Sequence, residues 1–180
     1  METKLVTKAE PTAAPAGKGR GRVDVITYIG PMCDYMVTQL YDIARQARAA
    51  GCTEMHLHLS SEGGSFSAAF AAYNLFQTTG IRLTTHNIGD VKNEAIVPFL
   101  AGETRGMSAF AQFLLRGVPK GYDFPRYTGL ISFWTNGKIN INPDQELSLE
   151  RDDAIKLGIV NDEIVVPNIP LDAVYWYVEP

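Results

Sequence analysis

Between residues 23 and 101 the sequence runs strand, helix, strand, helix, strand, helix. VDVITYI (23–29) is rich in β-branched residues, EMHLHLS (54–60) alternates strictly, and IRLTTHNI (81–88) is the next strand. A helix is predicted over 35–50, capped by Asp34 and stopped by Gly51, with Met36, Val37, Leu40, Ile43, Ala44 and Ala47 on one face. Phe66, Ala69, Phe70, Tyr73 and Phe76 mark a second helix ended by Gly80. A third is expected over about 94–101, stopped at Gly102. Strands joined through helices need crossover connections, so this order implies an α/β fold with a mostly parallel sheet and flanking helices. Further on, FAQFLLRGV (110–118) and IVNDEIVV (159–166) read as strands, and LERDDAIKLG (149–158) as a helix ending at Gly158. Residues 119–147 break the rhythm. Pro119, Pro125, Gly129, Gly137 and Pro143 argue against a long helix there, and GLISFW (129–134) reads as a strand.

Residues 1–22 stand apart. They hold five basic and two acidic residues and no apolar period, which predicts a disordered basic arm. GKGRGR within it follows no strand and opens no helix, so it is not read as a nucleotide-binding loop. Residues 23–180 carry 11 basic and 18 acidic residues and are expected to form a single domain. The whole chain's net charge of −4 gives no sign of a nucleic-acid partner. No apolar run approaches the roughly 20 residues that span a bilayer, so no membrane partner is expected. Cys33 and Cys52 make neither a disulfide framework nor a zinc site, and the expected setting is a reduced cytoplasm.

Parallel sheets bind ligands where strands end and helices begin. Two turns stand there. In SSEGGS (60–65), Gly63 and Gly64 let backbone N–H groups point outward toward an anion or oxyanion, although a strand-to-helix turn needing positive φ explains the glycines equally. In GDVKNEAIVPFLAGE (89–103), Pro98 must lie near the start of a helix, and Asn93 reads as its N-cap. His56, His58 and His86 could hold zinc, but no carboxylate or cysteine cluster supports them, so buried, satisfied histidines are expected and no metal or cofactor is assigned. Ser61 and Ser65 suit turn and cap chemistry.

HLSSEGGSFSAAFAAYNLFQTTG resembles the stretch of Clp-type serine proteases in which a strand ends in a Ser-x-Gly-Gly turn and enters a helix. NIGDVKNEAIVPFLAGETR is similar to the family segment that carries the nucleophilic serine before an apolar helix and Ala-Gly. FAQFLLRGV matches the strand that carries the catalytic histidine, and AIKLGIVNDEI matches the closing segment. The resemblance covers about residues 23–118 and 147–166. It implies the spiral of ββα units shared by Clp proteases and crotonase-like enzymes, with Gly63 and Gly64 as the oxyanion turn.

The same resemblance puts Asn93 at the nucleophile position and Arg116 at the histidine position, with Glu146 or Asp144 as the third member. Asparagine's nitrogen lone pair is delocalised, and arginine stays protonated, so two of three chemical groups are missing. Family geometry would let the Asn93 and Arg116 side chains meet and bind an anion or a peptide. Family members also carry a long helical handle that joins two rings; the shortened 117–147 segment, with Tyr122, Phe124, Tyr127, Phe133 and Trp134, does not read as one. The expected role is an inactive pseudo-peptidase acting as an assembly or binding subunit, in a homo-oligomer or with a related subunit. Two alternatives are a serine hydrolase with a displaced nucleophile, and a crotonase-like acyl-CoA enzyme using Glu94 as acid or base. The aromatic tail PLDAVYWYVEP is expected to pack on its own or a neighbouring subunit.

Overall fold

The computed structural model describes residues 21–117, 124–142 and 145–180. The first 20 residues of the expected arm, Asp144, Tyr122 and the Phe124 side chain lie outside what is described. β1 (Arg22–Ile29), α1 (Asp34–Ala49), β2 (Cys52–Ser61), α2 (Phe66–Thr78) and β3 (Arg82–Lys92) follow the predicted order. A 3-10 turn (Asn93–Ala95) then leads into α3 (Ile96–Phe99), followed by β4 (Thr104–Met107), β5 (Gln112–Arg116), α4 (Phe124–Trp134), β6 (Glu146–Leu149), α5 (Arg151–Leu157) and β7 (Val174–Val178).

The seven strands form one sheet in the order β6-β5-β3-β2-β1-β7, with β4 also beside β3. Every described pairing is parallel except β5–β6. The fold is therefore the expected α/β arrangement of a mostly parallel sheet with flanking helices. On one face Ile26, Tyr28, Leu57 and Leu59 meet Met36, Leu40 and Ile43 of α1, Ala69, Ala72 and Phe76 of α2, and Ile96, Val97 and Phe99 of α3, all buried. Alanines on the sheet side of α2 let that helix approach closely. Phe99 and Phe113 close the core edge-to-face at 4.9 Å.

Several local expectations change. Asp34 is the first residue of α1 and not its cap: Cys33 stands at the N-cap, and no side chain caps the helix. Asp34 still suits the positive end of the helix. The helix expected over 94–101 is a 3-10 turn and a single α-turn, because Pro98 has no N–H to extend the ladder backwards. The 110–118 strand shortens to 112–116. GLISFW is the second half of α4 and not a strand: Pro125 sits in the first turn, where its missing N–H costs nothing, and Gly129 faces open space. Residues 159–166 are not a strand. Their backbone is held otherwise: the N–H groups of Asn161 and Asp162 both donate to the Arg105 carbonyl. The ladder position at the edge belongs to β7, part of the aromatic tail. Trp176 Nε1 donates to the buried Asp24 carboxylate at 2.7 Å, and Arg22 pairs with the same group.

Arg105 ties the C-terminal part to the sheet. Its buried guanidinium donates to the carbonyls of Gly102, Gly158 and Ile159 and stacks 4.5 Å over the Trp134 ring. One cation thus satisfies the ends of α3 and α5 and anchors α4.

The opposite sheet face carries Val25, Thr27, His56, His58, Thr84 and His86 by register. The segment after α5 crosses it: the Ile164 carbonyl lies over Gly106, and the Val165 backbone acts to raise the His86 imidazole. His56 Nε2 contacts Glu54 Oε1 at 3.0 Å, and the His58 and His86 rings stand 5.9 Å apart. Burial, helped by His86 and His56, pushes His58 down to about 4. Burial also lowers His86, against the Val165 backbone and Asp162. Among the described residues no group of three or more His, Cys, Asp or Glu is placed to hold a metal ion.

A histidine depressed in the folded state leaves protons to the unfolded chain. The His58 contribution is complete above pH 6.5 and is lost as pH falls toward 4. Urea unfolding at pH 7 and 4.5 should show His58→Gln losing less stability on acidification than the parent, by about 1–2 kcal/mol given the partly solvated ring. Equal losses in both would refute the assignment.

Candidate functional site

The site gathers at the carboxyl ends of β1, β2 and β3. Leaving β2, Gly63 and Gly64 adopt φ of +97° and +146°. Met32, in the turn after β1, donates its N–H to the Gly63 carbonyl at 2.9 Å, and its carbonyl accepts from Ser65 N at 2.8 Å. A Cβ on Gly64 would lie 2.6 Å from the Met32 oxygen, so only glycine lets the two turns close on each other. Ser65 then caps α2 by accepting from Ala68 N. The two glycine N–H groups part company. Gly63 N donates inward to the buried Ser61 Oγ at 3.2 Å, whereas Gly64 N points out and donates to Glu94 Oε2 at 3.0 Å.

β3 reaches this point through an irregularity. Leu59 pairs with Asn87 but Ser61 pairs with Val91, so β3 carries two more residues than β2 over that interval. The detour is held by side chains: Ser60 Oγ bonds to the N–H and carbonyl of Asp90, and Asn87 bonds to Gly89 N and the Gln112 carbonyl. Gly89 is needed there, because a Cβ would meet Ser60 Oγ at 2.8 Å. Beyond it β3 changes partner from β4 to β5, and its tip swings out.

Asn93 occupies that tip with φ +49°, a left-handed conformation that asparagine tolerates better than most residues. It is not the helix cap the sequence suggests: Lys92 holds the N-cap position, without a side-chain hydrogen bond. The Asn93 carboxamide oxygen accepts from the Arg116 backbone N–H at 3.2 Å. Arg116 is thus adjacent, but it meets Asn93 through its main chain. Its guanidinium turns away to Glu146 Oε2 at 2.7 Å, an exposed pair across β5 and β6. Of the two candidates for the third position, Glu146 is the one the structure sets beside Arg116; Asp144 lies outside the described residues.

Neighbours that the sequence does not assign to the site close it. Tyr127 of α4 is fully buried, donates to the Asn93 carbonyl at 3.4 Å, and packs edge-on to Phe66. Burial, with a contribution from the Glu94 charge, raises its phenol so that it remains a donor. Lys92 is engaged by Glu62 and Asp90, which raises its ammonium and removes it as a neutral base. Away from this cleft, Ser108 Oγ lies 3.1 Å from Nε2 of the buried His86. Neither residue falls in a motif that sequence reading could connect, since the contact forms between the β3 and β4 strands' ends.

An outward N–H in a glycine turn thus stands beside a strand tip at the carboxyl edge of a mostly parallel sheet. The Clp protease family model matches residues 30–117, the segment that builds both turns. Over those 88 of its 180 residues the chain is similar to the Clp-type protease family. Solved structures agree on the fold. ClpP1 from Listeria monocytogenes superposes with a TM-score of 0.72 at 17% identity, covering 80% of this chain and 92% of its own. An alanine mutant of the 1510-N membrane-bound stomatin-specific protease gives 0.71 at 15%, covering 90% and 99%. No curated protein sequence matches the chain significantly.

Gly63 and Glu94 should be energetically coupled. A Cβ at Gly63 would lie 2.5 Å from Glu94 Oε2, on top of the strain of its positive φ. Gly63→Ala should cost about 2 kcal/mol, and Glu94→Ala should recover roughly 1 kcal/mol of it in a double-mutant cycle read by denaturant unfolding. Simple additivity would show that the carboxylate does not sit in the turn.

Proposed function

We propose that this chain is a non-catalytic Clp-type subunit that works by assembly or binding, in a homo-oligomer or with a related subunit. The observation that carries the reading is at the β3 tip. On the family correspondence the nucleophile position is Asn93, and its carboxamide is committed to the Arg116 backbone. Loss of the nucleophile alone removes most of a triad's rate enhancement. The base position fares no better, since Arg116 is a permanent cation paired with Glu146. Glu94 is a poor acid–base group for acyl-CoA chemistry here, because its carboxylate fills the donor turn that such an enzyme would aim at a thioester oxygen.

Support for assembly comes from exposed side chains at the β7 edge of the second sheet face. Tyr175 and Tyr177, beside buried Val25 and half-buried Thr27 in register, are 58% and 55% exposed, and Ile29 of β1 is exposed as well. An apolar group of this kind on a folded domain marks an interaction surface. Cys33 and Cys52 are free thiols, and the reading takes as its setting the reduced cytoplasm expected from the sequence. Among the described residues no helix is long and apolar enough to cross a membrane.

A second reading has one observation in its favour. The Ser108–His86 contact has a hydroxyl within reach of an imidazole, the minimal arrangement of a displaced nucleophile and base.

Native mass spectrometry at micromolar concentration should return a closed multimer, and Tyr175→Glu with Tyr177→Glu should shift it to monomer while circular dichroism stays unchanged. A parent protein that is monomeric at those concentrations, alone and with candidate related subunits, would overturn the assembly reading.

A further inference from the structure

The cleft is closed by the chain itself. Gly64 presents its N–H outward, and the acceptor is the carboxylate of Glu94, 30 residues further on and one residue past the β3 tip. The turn is shaped for an oxygen at that point. Gly63 has no side chain, and a Cβ there would sit 2.5 Å from Glu94 Oε2, inside any tolerable contact. The neighbouring donor is withdrawn, since Gly63 N is satisfied internally by Ser61. The turn's rigidity does not come from Glu94: Met32 pins it from both sides through Gly63 and Ser65. Two cations beside the β3 tip are engaged with other carboxylates. Lys92 is held by Glu62 and Asp90, and the Arg116 guanidinium by Glu146. Glu94 therefore rests in the turn because the turn accepts a carboxylate.

We propose that the Gly63–Gly64 turn is a carboxylate-binding site that the chain holds closed with its own Glu94. The inference deepens the reading above, on which it rests for the cleft being one that binds rather than reacts. A tethered group acts at an effective concentration in the millimolar range, so a free carboxylate in solution must outcompete it. Removing the tether opens the site to carboxylates in general, whether free acids or the C-terminus of a peptide. Glutamine at position 94 keeps an oxygen acceptor of the same reach and so keeps the turn shut. Alanine or serine is too short to reach Gly64 N.

The test follows the Gly64 amide by proton–nitrogen correlation NMR in the full-length chain. Acetate, Ala-Ala-Ala with a free C-terminus, and the same tripeptide amidated are titrated separately. In Glu94→Ala, acetate and the free tripeptide should shift the Gly64 amide saturably and the amidated peptide should not. The parent and Glu94→Gln should need at least about tenfold more acetate for the same shift. A free tripeptide that half-saturates below acetate identifies a peptide C-terminus as the preferred source, and equal or weaker binding identifies small free carboxylates. If Glu94→Ala does not fold, Glu94→Ser replaces it with the same expected pattern. The proposal is overturned if no carboxylate moves the Gly64 amide in the shortened variants, if the amidated peptide moves it equally, or if the parent responds as readily as Glu94→Ala. The readout is an amide shift and not turnover or mass, so failure here leaves the assembly reading to its own experiment.

Discussion

Three strand-to-helix turns converge on Gly64, and the close approach of its α-carbon to the Met32 carbonyl is what lets them meet. The turn after β1 is pinned to the turn after β2 by two backbone hydrogen bonds through Met32. The turn after β3 joins them through Glu94. Any side chain at position 64 would force these turns apart at 2.6 Å from a backbone oxygen that has no room to yield. The parallel sheet makes the convergence possible, because all three strands run the same way and end at the same edge. The two extra residues in β3, held by Ser60 and Asn87, then carry its tip far enough to face the glycine turn.

At that tip each potentially reactive group is spent on a structural contact. The Asn93 carboxamide oxygen is bound to the β5 backbone, its own carbonyl to Tyr127, and the Arg116 guanidinium to Glu146. Position 94 supplies the anion that a donor turn would otherwise take from a ligand. These contacts are individually weak, and the exposed Arg116–Glu146 pair contributes little stability. Their importance is in what they occupy. On the proposed reading the cleft has moved from transient charge, which an oxyanion turn serves, to a permanent charge of its own. Opening that cleft then becomes a matter of competition between carboxylates.

Much of this could be read from the chain. Strand and helix alternation announced the parallel sheet, since hydrophobic periods of two and 3.6 are local properties that burial on a sheet preserves. Gly63, Gly64 and Asn93 stand out because strand ends and glycine turns punctuate the sequence, whereas Arg116 stands out only through the resemblance to Clp-type proteases. What escaped was fixed by long-range competition. The sequence marks the tail as packing on its own or a neighbouring subunit but not as strand β7, and reads 159–166 as a strand, because the ladder position beside β1 goes to the segment that anchors better, and Trp176 bonding to buried Asp24 decides it. α4 was hidden by Pro125 and Gly129, which a single helical turn and an open surface tolerate. Asn93 was read as a cap because local preference favours it there, whereas the actual partner of its side chain is Arg116, 23 residues away. The Glu94 contact and the Ser108–His86 contact likewise join segments whose spacing carries no periodic signal.

Intact-mass analysis after exposure to a serine-directed fluorophosphonate tests the central claim, that this Clp-type fold has no working nucleophile, most directly. The account predicts that the protein retains its unmodified mass after an incubation that fully labels an active serine hydrolase. A single stoichiometric adduct, mapped by peptide sequencing to Ser108 or to any other serine and abolished by its substitution with alanine, would contradict it.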